Sequence, residues 1–244
     1  MSNTWFRFRQ FTVQQERCAM KVTTDACLFG AWLSRYLCKS SPGNPSAPCR
    51  ALDIGTGTGL LSLMLAQQCR VMTDAIEIDR DACEQAMENV AHSPWPQQIR
   101  VVHGDIKQFP ADRLYDVVIS NPPFYENELR SADEKKNIAH HGHQLGLAEL
   151  FAITRQQLAD KGQFFFLFPF KRKTVIEKLL AEHGLFVHEM VLVRQSVRHD
   201  LFRIMLCGGL EETELKTSEM AIKDERDQYT PAFTDLLKDY YLYL

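Results

Sequence analysis

Residues suited to chemistry fall in a few short stretches of the chain. Ala51-Leu52-Asp53-Ile54-Gly55-Thr56-Gly57-Thr58-Gly59 runs from an apolar strand into an apolar-faced helix. Glycines at such a junction allow a tight turn and a close approach of ligand to backbone. The order is D-x-G-x-G-x-G, not the G-x-G-x-x-G of a turn shaped for a pyrophosphate. S-adenosylmethionine has no phosphate but carries a sulfonium and an amino-acid end, so its pocket can present a carboxylate such as Asp53. Glu77 ends the next strand about 20 residues later, where a carboxylate can take both hydroxyls of a ribose. Asp105, at the end of a third strand, is placed to accept from an adenine amino group, with Ile78 and Ile106 as apolar covers for the ring. Each acid alone could be a helix cap; three at successive strand ends favour a nucleoside pocket.

Asn121-Pro122-Pro123-Phe124 follows directly on the apolar strand 115–119. Two prolines stop a strand's ladder and fix the chain, so this turn is rigid. It can aim the Asn121 amide oxygen and the Pro122 carbonyl at one point. The exocyclic amine of a purine is a poor nucleophile because its lone pair is delocalised into the ring. Two acceptors gripping its hydrogens draw the nitrogen towards tetrahedral geometry and localise that pair. Phe124 offers a face for an extruded base. The plain alternative is a strand-ending turn with a buried Phe.

Basic residues suggest where a polyanion would lie. Arg7, Arg9, Arg17 and Lys21 crowd the first 24 residues, Lys171-Arg172-Lys173 follows a strand end, and Arg194, Arg198 and Arg203 surround a late hairpin. Phe6, Phe8 and Phe11 either stack on bases or simply pack. His140, His141 and His143 lack companion acids or cysteines at ligand spacing, so no metal is expected. The seven cysteines form no C-x-x-C pair and suggest neither a disulfide framework nor a zinc site.

The elements that must position these residues follow a repeated pattern. Strand 50–54, helix 60–68, strand 73–78, helix 80–91 and strands 99–103 and 115–120 are followed by helix 147–159, strand 163–168, helix 174–183 and strands 186–194 and 201–208. Such alternation implies an α/β fold with a mostly parallel sheet covered on both faces. The six residues between the last two strands are too few for a crossover, so those strands are expected to form an antiparallel edge hairpin, giving a seven-stranded Rossmann-like sheet. Residues 1–49 read as an N-terminal extension with a helix at 24–36, residues 50–209 as the main domain and residues 210–244 as an acidic extension. Phe233, Leu236, Leu237, Tyr240 and Tyr241 suggest that the end of this extension docks on the domain.

Of the 244 residues, 45% are hydrophobic and 24% charged, an ordinary globular balance. No apolar run approaches the ~18 residues of a membrane span, and no signal segment opens the chain, which predicts a cytoplasmic location and no membrane partner. The net charge of −3 is uneven. Residues 211–244 hold nine acids and four bases, leaving 22 acids and 24 bases elsewhere. A nucleic-acid partner thus remains compatible with the total.

The glycine loop and Asn-Pro-Pro-Phe resemble the amino-group methyltransferases. Within that group the chain resembles the bacterial tRNA (adenine-N6)-methyltransferases that modify adenine 37 of a valine tRNA. The resemblance runs through Phe6-Arg7-Phe8-Arg9-Gln10-Phe11, residues 17–22, Thr24-Asp25, Gly30-Ala31-Trp32, residues 53–59, Ser93-Pro94-Trp95 and Asp239-Tyr240-Tyr241. The N-terminal and Ser-Pro-Trp segments discriminate best. It implies a Rossmann-like methyltransferase that uses S-adenosylmethionine and a tRNA substrate, with Thr24 and Asp25 near the cofactor's methionine end. Where that family usually has Gly-Thr-Asp, this chain has Thr23-Thr24-Asp25, and a different local turn is expected. Three rivals stay open: a methyltransferase of protein glutamine, which usually has Tyr after Asn-Pro-Pro; one acting on guanine N2 of ribosomal RNA; and a catalytically silent RNA-binding module.

Overall fold

The structure, a computed structural model, describes residues 3–18, 20–40, 49–110, 113–123 and 145–244. Its elements are β1 (Trp5–Arg7), β2 (Thr12–Gln14), α1 (Thr24–Ser40), β3 (Cys49–Ile54), α2 (Leu60–Gln68), β4 (Val71–Glu77), α3 (Arg80–Ala91), β5 (Ile99–His103), β6 (Tyr115–Ser120), α4 (Leu147–Gln157), β7 (Leu158–Pro169), α5 (Lys173–Glu182), β8 (Phe186–Ser196), β9 (Leu201–Gly209), β10 (Lys216–Lys223) and α6 (Pro231–Leu237). Strands β3 to β10 form one sheet in the order β10-β8-β9-β7-β6-β3-β4-β5. Only β9 runs against its neighbours.

The expected seven strands are therefore eight, and the β8–β9 hairpin is not an edge. β10, from the acidic extension, pairs in parallel with β8 and covers it. Its first four residues are exposed, so the run has no apolar alternation to announce a strand.

The sheet is packed on both faces, and β7 shows how. Phe165 and Leu167 point into one core with α1 and α2, whereas Phe164, Phe166 and Phe168 point into the other with α4 and α5. A continuous apolar run fits a strand buried on both sides. The first core also takes in the chain's two ends. Phe8 and Phe11 are buried and stacked at 4.5 Å between centroids, Trp95 meets Phe11 edge-on at 5.9 Å, and Tyr241 lies 5.7 Å from Phe6. These aromatics pack on the protein itself. Two hydrogen bonds tighten the contact: the backbone Arg9 N donates to Tyr240 O and the side-chain Arg9 Nε to Tyr241 O, each at 2.8 Å. Among the described residues, no helix is long and apolar enough to cross a membrane.

Candidate active site

The crossovers leave β3 in opposite directions: β4 and β5 lie to one side, β6 and β7 to the other. Open α/β sheets bind ligands at such a switch point, beyond the carboxyl ends of the strands. The sequence-predicted residues lie along that edge. Asn121 follows β6, Asp53 and the glycines end β3, Glu77 ends β4, and Asp105 follows β5. With neighbouring strands about 4.8 Å apart, the row spans roughly 14 Å. Ser120 Oγ donates to Ile54 O at 2.8 Å and ties the end of β6 to that of β3, so Asn121 starts beside Gly55.

Three side chains from different elements grip consecutive residues of the glycine loop. Asp53 Oδ2 accepts from Thr56 Oγ1 and Ser62 Oγ, both at 2.7 Å. Glu77 Oε2 accepts from Gly57 N at 2.8 Å, and its other oxygen from Asp79 N at 2.9 Å. Asn89 Nδ2, from α3, donates to Thr58 O at 2.9 Å. Asn89 was not legible in the sequence because it lies in the last turn of α3, outside any motif. Its only signal is an amide on the buried side of α3.

Asp53 differs from the expectation. Instead of facing a ligand openly it is fully buried and holds the loop's shape. Burial raises its pKa to about 6 against the hydrogen bonds from Ser62 and Thr56. Its Oδ1 has no hydrogen-bond partner among the described residues. Glu77 is buried too, yet each carboxylate oxygen has a second lone pair to offer. Asp105 caps the short turn after β5, accepting from Lys107 N at 2.9 Å.

The donor set fits S-adenosylmethionine. Gly55 and Gly57 have φ of +72° and +57°, and a Cβ at either would meet nothing within 4 Å, so the backbone is open to an approaching molecule. The orphaned Asp53 oxygen suits a cation or donor. Ile78 directly follows β4 and is 42% exposed, whereas Ile106 follows β5 and is buried.

Asn121 is half-buried, Pro122 buried and Pro123 exposed. The Asn121 amide has no partner among the described residues. Phe124, His140, His141 and His143 lie outside the described residues. Thr23, where Gly is usual, caps α1: its carbonyl accepts from Cys27 N at 3.0 Å, and its φ is not positive. Asp25 accepts from Arg203 Nε at 2.7 Å, so these two expected ligand contacts neutralise each other.

The basic set divides. Lys171, Lys173, Arg194, Arg198 and Arg203 lie at the carboxyl edge, because β7 and β8 run parallel to β6 and β9 starts there. Arg198 is exposed with its guanidinium unpaired among the described residues, as is Arg7 near the N-terminus. Arg172 is buried, which takes it away from any phosphate. Arg17 is paired with Glu84 and Glu88, Lys173 with Glu177 and Arg194 with Glu219, while Lys21 donates to Asn3 O. Glu84 and Glu88 lie on α3 and Glu177 on α5, both expected helices whose acids spacing alone does not pair with these bases, whereas Glu219 lies on the unexpected β10.

Residues 34–183 match the methyltransferase small domain family. A tRNA1(Val) (adenine(37)-N6)-methyltransferase of Parabacteroides distasonis is 36% identical over 99% of both chains. That of Dyadobacter fermentans is 39% identical over 98% of both. The chain belongs to this family of methyltransferases. Solved structures give the family's fold wider company. A ribosomal protein L11 methylase from Lactobacillus delbrueckii superposes with a TM-score of 0.55 at 18% identity, covering 81% of this chain and 83% of that one. A glycopeptide N-methyltransferase complexed with S-adenosylmethionine gives 0.53 at 14% identity, covering 75% and 94%.

Proposed function

We propose that this methyltransferase transfers the methyl group of S-adenosylmethionine to N6 of adenine 37 in a valine tRNA, in the cytoplasm. The observation that carries the reading is the Ser120 Oγ to Ile54 O bond, which sets the Asn121-Pro122 turn beside the glycine loop on adjacent strands. The bound cofactor supplies an electrophilic methyl group. Glu77 would hold the ribose, Asp105 and the two isoleucines the adenine, and the Asp53 carboxylate would balance the positive charge. Asn121 and the Pro122 carbonyl would grip the N6 hydrogens, and no strong base is required because the proton can leave late. Phe124 would stack on the base. Arg7, Arg9, Arg198 and Lys171 would meet phosphates. The two relatives described above, both tRNA1(Val) (adenine(37)-N6)-methyltransferases, support the choice of nucleotide and tRNA. Nucleoside mass spectrometry of tRNA incubated with protein and isotopically labelled cofactor should recover label in N6-methyladenosine from valine tRNA. Label in N2-methylguanosine or methylglutamine would overturn the substrate.

A further inference from the structure

Asn89 is almost fully buried in α3 and joins two segments distant in sequence. Its Oδ1 accepts from Gln14 N at 2.8 Å, and its Nδ2 donates to Gln14 O and to Thr58 O, both at 2.9 Å. Both amide hydrogens and one lone pair are thus in use, which holds the carboxamide in one orientation. One side of this clasp is the last residue of β2, and the other is the centre of the glycine loop.

Beyond Gln14 an open cleft of about 400 Å³ lies between the β1–β2 hairpin and the end of α3. Arg7, Arg9, Gln10, Gln14, Asn89 and His92 line it. Its chemistry is cationic: Arg7 is exposed and unpaired among the described residues, and Arg9 commits its Nε to Tyr241 O but keeps its terminal nitrogens. Glu88, the carboxylate on the wall, is occupied by Arg17. Such a cleft fits a stretch of sugar-phosphate backbone.

We propose that RNA backbone seats in this cleft and that Asn89 is the positioning residue that carries its occupancy to the cofactor loop. This rests on the tRNA reading above. Phosphates held by Arg7 and Arg9 restrain the hairpin, the hairpin fixes the Gln14 peptide, and Asn89 passes that restraint to Thr58 O and so to Gly57 and Gly59. A loop ordered in this way binds cofactor more tightly, and reciprocity requires cofactor to tighten RNA by the same factor.

The test measures calorimetric affinity for S-adenosylhomocysteine with and without saturating unmodified valine tRNA, so that no turnover intervenes. In the unsubstituted protein tRNA should tighten this ligand by at least about fivefold. In Asn89→Ala the ratio should fall to about one, whereas a merely structural role would lower stability and leave the ratio intact. Hydrogen exchange provides a second measurement, which decides the matter if Asn89→Ala does not fold. Saturating tRNA should slow exchange in residues 55–60 of the unsubstituted protein, and much less in Arg7→Gln, which removes an exposed guanidinium that has no hydrogen bond or ion pair among the described residues. Absence of tRNA binding would remove the substrate reading and this proposal together. A tRNA that binds and is methylated, yet leaves the ratio and the loop exchange unchanged, would overturn this proposal alone.

Discussion

An amine conjugated to a purine gains reactivity only where its N–H groups are held by fixed acceptors. Asn121 is half-buried with no described partner, so replacing it removes little from the core. Asn121→Ala is therefore expected to fold and bind cofactor while single-turnover methyl transfer falls by ~10²–10³. Near-normal turnover would take Asn121 out of the reaction. Asp53 makes a second prediction through its proton. Burial lifts its pKa from 3.8 to about 6, and a cationic cofactor favours the charged carboxylate. Below that pH binding must release a proton, so calorimetric affinity should drop by up to about tenfold per pH unit, and Asp53→Asn should flatten the profile. Stability runs the other way: with the folded pKa above the unfolded one, this group's contribution is full below pH 3.8 and lost as pH rises through about 6. An affinity that does not change across pH 6 would separate Asp53 from the cofactor. The types and spacing of these residues were legible in the sequence because strand ends announce themselves. The burial of Asp53 was not, because its hydroxyl partners Thr56 and Ser62 are unremarkable as letters and meaningful only once the loop turns back on β3.

Glycines define the loop as an element. Gly57 has φ of +57°, its N–H is bonded to Glu77, and the space a Cβ would take is open. Gly57→Ala meets left-handed strain of roughly 1–2 kcal/mol and also fills space the cofactor is expected to occupy. Chemical unfolding should show only that small loss, while calorimetry shows a much larger loss of cofactor affinity. Equal losses would mean that the position matters for the turn alone. Most of the alternating strands and helices could be read in advance, since apolar runs such as Phe164 to Phe168 and the amphipathic α3 carry their own period. β10 could not. It is held by pairing with β8 and by burial of Ile222 in the first core, both tertiary, so a largely polar stretch became a strand where propensity alone suggests none. The same pairing explains why Arg194 is less available to phosphate than its position implied. At the other end of the sheet reading, α4 stops at Gln157 because β7 begins at Leu158, where pairing to Tyr115 takes over from helix propensity.

Across the whole molecule, segments far apart in the chain meet at one place. The aromatic and basic N-terminal hairpin, Trp95 and the Tyr240-Tyr241 pair pack together beside the α/β sheet. The N-terminal and Ser-Pro-Trp segments discriminate best in the family resemblance, and their meeting with Tyr241 could not be read from spacing because no local period links residues 6, 95 and 241. Packing consumes the rings of Phe8 and Phe11 but leaves the Arg7 side chain outside, so the hairpin presents its charge to solvent. A net charge of −3 would ordinarily repel RNA. Phosphates respond to the local field within about 10 Å, however, and acids concentrated in residues 211–244 weigh on the total more than on that surface. Binding of valine tRNA should therefore weaken steeply with salt, as counterions released by each neutralised phosphate are returned. Arg7→Ala should lower affinity and reduce the log–log salt slope by about 1, the change expected for one lost phosphate contact. Affinity for cofactor without RNA should stay the same, because Arg7 reaches none of the residues along the carboxyl edge through any described hydrogen bond or ion pair. Filter-binding titrations from about 50 to 200 mM salt supply both slopes. A flat profile in the unsubstituted protein would show that RNA is held without phosphate contacts, and an unchanged slope in Arg7→Ala would place those contacts elsewhere on the surface.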